Sequence, residues 1–595
     1  MKNLSYNQIW QKYIEFFEKH GHQAIPSSPL VPENDPSVLF VNAGMFPLVP
    51  FLNGQEHPKG NRLVNIQRCI RTGDIDEVGD AFHCTAFIML GNWSLNDYFK
   101  KEAIEMTVEF FVEELGLDIN NIYASVFEGD NNAPQDTESI EVWKEIFSRY
   151  NIDAKVGKEE RIQPFGKKEN WWGLESGGPC GPDSEIFYNT GTEKCGDECN
   201  VSCNCGKYVE IGNNVFMQYL KTGEQILPLG RHNVDFGGGL ERLTGLLQSV
   251  DSVYEIDTYR PITEKVRELS KVENIESQRV IVDHLKAATW IVMDGVEPSR
   301  SQQGYILRRL IRRAIRHGKK LGIEKPFTRE VAEIAIEQFK DTWEELATQK
   351  EHILNIIEEE EIKFGKTLNS GLRVLEKMLK KNSQVTGKDA FLLYETYGLP
   401  LELTEEILKE KEIGIENREG FKKAEEEHQE KSRTASKGLF KGGLADTSEM
   451  STKYHTASHL LLAALRKVLG NHVYQKGSNI TPERLRMDYP NDAHLTDEQV
   501  KEVEDMVNEQ IKKGLTVGKK EMPKEEALKV VPFAAFSERY PDIVNVYYIG
   551  PEENPFSIEI CNGPHVENIK DLGIFKISKQ ENVGAGVKRI KAVLE

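Results

Sequence analysis

The sequence predicts a multidomain α+β protein, and three observations carry that expectation. At 595 residues the chain is too long for a single hydrophobic core. Its texture changes twice: short strand-like runs rich in Gly and Pro to about residue 250, mostly helical periodicity from 251 to 440, then a compact α/β pattern from Ser451 onward. Finally, two residue pairs with metal-ligand spacing in the last region need a fold that brings distant segments together. Domains are therefore expected at 1–250, 251–440 and 441–595. With 39% hydrophobic residues and no apolar run of membrane-spanning length, the expectation is a soluble protein that does not enter membranes. The start, Met1-Lys2-Asn3-Leu4-Ser5-Tyr6, has no signal-peptide stretch, so a cytoplasmic location is expected. A formal net charge of −20 argues against a protein that coats nucleic acid generally.

In the first region, Gln67-Arg68-Cys69-Ile70-Arg71 precedes an acidic loop, Asp74-Ile75-Asp76-Glu77, and the chain returns through His83 to Asn92. A strand–loop–strand with Arg68 near its start can offer a bidentate guanidinium to phosphate, and an aromatic on the return strand supplies a stacking face. Val234 to Leu243 then passes from a strand through three glycines into a helix. Glycine lets backbone approach a ligand closely, and Arg242 falls near the helix start. The run matches neither GxGxxG nor a Walker A loop.

Between these segments lies Cys195-x3-Cys199-x3-Cys203-x-Cys205, in Gly- and Asn-rich sequence. In a cytosolic chain such clustering reads as a metal knuckle more readily than as disulfides. The spacing is not the paired CxxC of zinc ribbons, and a disordered insertion with reduced thiols is the alternative.

The second region contains a basic run, Ile306 to Lys320. Read as a helix, it aligns Arg308, Arg312 and Arg316 in one stripe with Arg309 and Arg313 beside it, and leaves Ile306, Leu307, Leu310, Ile311, Ala314 and Ile315 as the apolar face. Such a helix suits phosphate contacts, so RNA is expected there. Glu358–Lys381 and Glu402–Glu430 are rich in Glu and Lys with spaced Leu and Ile, and Lys437 to Leu444 reads as a linker. In the third region His455 and His459 share one helix face, and Cys561 and His565 follow a strand-like stretch at the same spacing. Three nitrogens and one sulfur make a tetrahedral zinc set.

At these residues the chain resembles the alanyl-tRNA synthetases, a class II family, in order along essentially its whole length. The matching segments include Ser27–Pro32 and Phe40–Met45 (motif 1), Arg68–Asn92 (motif 2), Gly239–Arg242 (motif 3), Gly178–Ile186, Glu210–Gln218, Gly304–Arg309, Leu393–Gly398 and the two ligand pairs. The resemblance implies a class II antiparallel sheet with helices, a helical tRNA-recognition region and an α/β editing domain. It implies alanine, ATP and tRNA(Ala) as substrates and partners, with Mg²⁺ and Zn²⁺. Arg68 is expected at the α-phosphate, Arg242 over the triphosphate and adenine, Phe87 as the adenine-stacking ring and His83 as a phosphate contact. Asp235 is expected to pair with alanine's ammonium, with Asn213 and Trp172 shaping a methyl-sized pocket. Gln302 and Arg308, Arg309, Arg312 and Arg313 are expected to meet tRNA, and Thr456 and Gln475 to line the editing pocket.

Relatives usually carry Phe-Phe-Glu-Met where this chain has Ala86-Phe87-Ile88-Met89, and the lost carboxylate bears on hydrogen bonding around ATP. Longer relatives continue past the equivalent of Glu595 into a C-terminal domain, so a short form acting as a monomer is expected. The competing readings are a free-standing editing hydrolase, which has no use for Arg68, Asp235 and Arg242, and an RNA-binding pseudosynthetase, supported only by Ile88.

Overall fold

The structure, a computed structural model, describes residues 2–32, 38–174, 177–382, 384–427, 448–491, 493–531, 542–561, 563–584 and 587–595. The expected linker at 437–444 and Asn562 lie outside them. The chain forms two compact units, one of residues 1–385 and 392–415, the other of 386–391 and 416–595.

The first unit is built on a nine-stranded sheet. Its strands are β1 (Gln23–Ala24), β2 (Arg62–Ile70), β3 (Ala86–Leu95), β4 (Ile122–Phe127), β5 (Ile162–Phe165), β6 (Trp171–Gly173), β7 (Gly178–Asn189), β8 (Tyr208–Thr222) and β9 (Gln225–Gly239). They run in the order β1-β2-β3-β9-β8-β7-β4-β5, with β6 paired to β7. The centre, β2 through β7, is antiparallel, and parallel pairs occur only at the edges, β1 with β2 and β4 with β5.

Helix α1 (Tyr6–Lys19) starts with a Ser5/Gln8 capping box, which satisfies backbone donors that the first turn leaves open. It buries Ile9, Tyr13, Phe16 and Phe17, one helical face, against the sheet core. Helix α2 (Leu240–Gln248) begins directly at the end of β9. Behind them stand α3 (Ile275–Met293), α4 (Gln302–Lys320), α5 (Lys350–Asn382) and α6 (Leu401–Lys409). A single apolar core runs from Tyr6 to Leu408, so the helical region packs with the sheet instead of forming a separate body.

In the second unit α7 (Glu449–Leu469) and α8 (Asp497–Lys513) accompany two small sheets. The strands are β10 (Gly477–Thr481), β11 (Arg484–Pro490), β12 (Val517–Pro523), β13 (Ile543–Ile549), β14 (Ser557–Ile560), β15 (Phe575–Gly584) and β16 (Val587–Leu594). They pair as β10-β11-β16-β15 and β12-β13-β14. Among the described residues no helix is long and apolar enough to cross a membrane. The fold is α+β with two compact units.

Candidate functional site

The face of the sheet that carries the site follows from register. Cys69 pairs with Phe87 and Arg68 with Ile88, so the period of two puts Cys69, Arg71, Phe87 and Met89 on one face and Arg68 and Ile88 on the other. Arg71, just past the end of β2, lays its guanidinium over the Phe87 ring at 4.9 Å and donates from Nε to the Asn42 carbonyl (3.3 Å). It lines a pocket with Phe87, His83, Glu210 and Arg242.

Arg68 does not reach this pocket. Its side chain is buried behind the sheet, paired with Asp294 at 3.1 Å and set over the Trp343 ring. Asp294 in turn accepts the Leu30 N–H at 2.6 Å. Arg68, expected at the α-phosphate, thus faces away from the pocket, and Arg71 lines it instead. An odd spacing of three residues along extended chain sends the two side chains to opposite faces. Ile88 shares the far face and is buried in the core, and it is not among the residues lining the pocket. Its backbone N–H donates to both oxygens of Glu241 (3.1 Å each), a carboxylate that also accepts from Tyr6 and Tyr259. The missing Glu at position 88 thus removes nothing from the pocket wall.

The other expected pocket residues converge. Arg242 sits in the first turn of α2, where the helix end already favours anions, and pairs with Glu210 at 3.0 Å. His83 Nδ1 donates to Asp80 (2.6 Å), and Glu77 lies 3.2 Å from Nε2. The bond to Asp80 raises the His83 pKa, which favours a cation at the pocket mouth. Asp74, half-buried on the same wall, is raised by burial.

Asp235 lies farther along the same sheet face, in register with Trp93 on one side and Val215 on the other. The Trp93 indole donates to its Oδ1 at 2.7 Å. Burial pushes the Asp235 carboxyl up to about 7, against the pull of that bond. Trp93, Val215, Met89, Met45 and Trp172 form one apolar cluster around this region. Two glycines keep the floor low: a Cβ on Gly91 would fall 2.3 Å from the Trp93 ring, and one on Gly237 would fall 3.1 Å from Met89 Sδ. Met89 and Gly237 line the pocket of Arg71, His83 and Arg242 as well, which connects it to the region around Asp235. Asn213 pairs with Gly237 on this face, hydrogen-bonds Asp183, and keeps a buried Oδ1 without a partner.

The expected tRNA-facing arginines are corrected too. Arg309, Arg312 and Arg313 are buried and paired within the unit. Arg312 bonds Glu360 of α5 (2.6 Å), Arg313 bonds Glu406 of α6 (2.8 Å), and Arg309 bonds Asp76 (2.6 Å). Arg308 keeps slightly more exposure and lies 3.8 Å from Glu360. The basic stripe and the acidic helices that follow it neutralise each other, so the run of charge is an internal seam. Arg309 and Arg313 also hold the turn after Arg71, since Arg313 donates to the Ile75 carbonyl at 2.7 Å. The expected apolar face of α4 is buried throughout. Gln302 is exposed at the start of α4 with a positive φ of 52°.

In the second unit His455, His459, Cys561 and His565 bring their ligand atoms within 4.8 Å of one another. Cys561 Sγ lies 3.4 Å from His455 Nε2. Bonds of about 2.3 Å to sulfur and about 2.05 Å to nitrogen in a tetrahedron give roughly 3.5 Å for that edge. His455 donates from Nδ1 to the Pro564 carbonyl (2.9 Å), which turns Nε2 inward. Thr456 Oγ1 donates to the Thr452 carbonyl and so accepts from His565 Nδ1 at 3.2 Å. His565 Nε2 is then buried without a hydrogen-bond partner. Burial lowers the pKa of all three imidazoles, His459 to about 3, and keeps them in the neutral form that binds metals. These observations fit a zinc ion. Thr456 serves the cluster directly, whereas Gln475 donates to Ser478 Oγ at 3.3 Å.

Sequence comparison identifies two family segments, the first of which extends from the first unit into the second. Residues 8–478 match the family model for class II (A) tRNA synthetases, and residues 544–591 match the second additional domain of threonyl and alanyl tRNA synthetases. An alanine–tRNA ligase of Treponema denticola is 48% identical over the full length of both chains. One from Borreliella afzelii is 46% identical over 99% of this chain and 100% of its own. A third, alanine–tRNA ligase 1 of Lachnoclostridium phytofermentans, is 36% identical over 100% of this chain and 80% of its own.

Proposed function

The chain belongs to the class II alanyl-tRNA synthetase family, and from that premise we propose that it activates alanine with ATP, transfers it to tRNA(Ala) and hydrolyses Ser- and Gly-tRNA(Ala). One observation carries the reading: Arg71, Phe87 and Asp235 share a single face of the sheet, and Arg242 in the first turn of α2 lines the same pocket as Arg71 and Phe87. Residues 1–250 would perform activation, 251–440 tRNA recognition and 441–595 editing.

Alanine's ammonium pairs with Asp235, and its methyl faces Val215, Met89 and Trp172. ATP enters as its Mg²⁺ complex, with adenine on Phe87 and the phosphates between Arg71, His83 and Arg242. An oxygen of alanine's carboxylate attacks the α-phosphorus, the bond to the bridging oxygen breaks, and pyrophosphate leaves. Two anions must approach for this, so the preorganised cations matter most in the transition state. A ribose hydroxyl of the terminal tRNA nucleotide then attacks the alanyl carbonyl and loses its proton as AMP departs.

Glycine differs from alanine by a methyl worth only about 1–3 kcal/mol, and a pocket that holds alanine rejects serine's extra hydroxyl poorly. A second hydrolytic site answers this need. His455, His459, Cys561 and His565 would hold a zinc ion, which with four protein ligands supplies order and charge and has no open position for water. Thr456, through His565, positions that cluster, and Gln475 contributes to the pocket beside it.

Purified protein should charge tRNA(Ala) with alanine and deacylate Ser-tRNA(Ala). The variant His459→Ala should retain charging while losing most deacylation, and unchanged deacylation would remove the editing assignment. Gln302, exposed at the head of α4, is the proposed reader of the acceptor-stem G·U pair, since an amide can reach a base edge. Charging by Gln302→Ala should discriminate less between G·U and G·C stems. Retained discrimination would transfer the role elsewhere. A pseudosynthetase reading rests on Ile88, whose side chain lies behind the sheet.

A further inference from the structure

The loop between β7 and β8, residues 190–207, is long for a segment without regular structure, and such loops need something to hold them. Its base is closed by Thr190 N–H to the Lys207 carbonyl (2.9 Å) and Thr190 Oγ1 to the Gly206 carbonyl (2.8 Å). Its middle is fixed by Val201, which is buried and donates its N–H to Gln163 Oε1 at 3.2 Å. Of its hydrophobic residues only Val201 and Cys199 are buried, too little apolar surface to order the remainder. What converges there is sulfur, with Cys199 buried, Cys203 and Cys205 half-buried and Cys195 exposed. The thiols of Cys195, Cys199 and Cys203 lie within 4.8 Å of one another. Cys205 Sγ is 3.7 Å from Cys199 Sγ, and Cys195 is in hydrogen-bonding contact with both.

From this convergence we propose that Cys195, Cys199, Cys203 and Cys205 bind one zinc(II) ion as a closed tetrathiolate site that braces the rim of the ATP pocket. A Zn–S bond of about 2.3 Å sets neighbouring sulfurs about 3.8 Å apart in a tetrahedron, close to the Cys199–Cys205 separation and far from the roughly 2.05 Å of a disulfide. The Asn200 N–H points at Cys203 Sγ from 3.5 Å, the kind of backbone bond that orients a thiolate ligand. With four protein ligands the site has no open position, so its role is structural.

The bracing follows from what the loop touches. Gly206 packs beside the ring of Phe82, where an added Cβ would come within 3.5 Å. Phe82 lines the ATP pocket next to His83, and β8 carries Glu210 a few residues beyond the loop. Metal binding thereby supports both the loop that presents His83 and the strand that presents Glu210.

The test is metal analysis of the full-length protein after removal of loosely bound ions. The variant Cys199→Ser/Cys205→Ser should contain one equivalent of zinc less than wild type, show a raised KM for ATP and keep its Ser-tRNA deacylation. A second measurement uses the wild-type chain and does not depend on the variant's folding. The four thiols should resist alkylation until a chelator is added, then all react, as read by peptide mass spectrometry. Equal zinc in variant and wild type, iron in place of zinc, disulfides among the four, or thiols that alkylate at once without chelator would each overturn the proposal. Zinc content and thiol alkylation do not depend on whether the chain charges tRNA, so they can fail separately from the proposed function.

Discussion

Replacing Arg71 by Ala is expected to lower the rate of alanyl-adenylate formation by about 10²–10³-fold, the loss typical when one preorganised charge-stabilising donor is removed. Arg71 lies over Phe87 on the pocket face, and its guanidinium is the cation proposed for the α-phosphate. The folded state should change little. Replacing Arg68 by Ala should do the reverse. That arginine pairs with Asp294 in a buried setting, and Asp294 also anchors the Leu30 backbone. Removing one member of a buried ion pair typically costs about 3–5 kcal/mol. The Arg68 variant should therefore melt earlier by several degrees, while whatever protein stays folded keeps near-normal pyrophosphate exchange. Urea unfolding and exchange rates measured on both variants decide the matter. Equal loss of activity with unchanged stability in Arg68→Ala would return the phosphate role to Arg68.

Asp235→Asn should lower kcat/KM for alanine by about 10²-fold or more, because a buried charged partner for the ammonium is lost. Its pH dependence carries a sharper signature. With the carboxyl pushed up to about 7 by burial, wild-type kcat/KM for alanine should fall about tenfold per pH unit below that value. Stability runs the other way. The folded pKa stands above the ordinary 3.8, so the native state holds an extra proton between roughly pH 4 and 7. The group's contribution to stability is complete below that window and is lost as pH rises through about 7. Asn cannot ionise and still accepts the Trp93 indole bond, so the variant should gain on the order of 1–4 kcal/mol relative to wild type above pH 7. A variant that loses activity and also loses stability would point to a structural role for Asp235.

Much of this site was legible in sequence because its parts are local. The four residues of the candidate metal cluster come as two short pairs at fixed spacing, and folding had only to bring the pairs together. Asp235 and Arg242 lie in one short run and His83 and Phe87 in another, and the antiparallel pairing of β3 with β9 brings the two runs together. Arg68 was misplaced because segment-level matching says that an arginine is needed without saying which face each one takes. The register of β2 on β3 settles that, and the period of two was already present in Cys69, Arg71, Phe87 and Met89. The α4 arginines failed for another reason. Helical periodicity finds the apolar face correctly, yet it cannot tell a charged face open to solvent from one covered by Glu360 and Glu406, whose partners lie 48 and 93 residues away along the chain. Trp93 and Glu210 were missed since their roles arise from residues distant in sequence, Trp93 from its cross-strand neighbour Asp235 and Glu210 from Arg242 of α2. The converging thiols of the 190–207 loop were visible as a cluster, but irregular spacing hid how close they come.

The most direct test of the central claim, that one sheet face joins an ATP pocket to an alanine pocket, is ATP–pyrophosphate exchange without tRNA. The wild-type chain should incorporate labelled pyrophosphate into ATP in the presence of alanine, more weakly with serine or glycine, and scarcely at all with bulkier amino acids that the cluster of Val215, Met89 and Trp172 excludes. Exchange that is absent, or that proceeds equally well with large side chains, would contradict it.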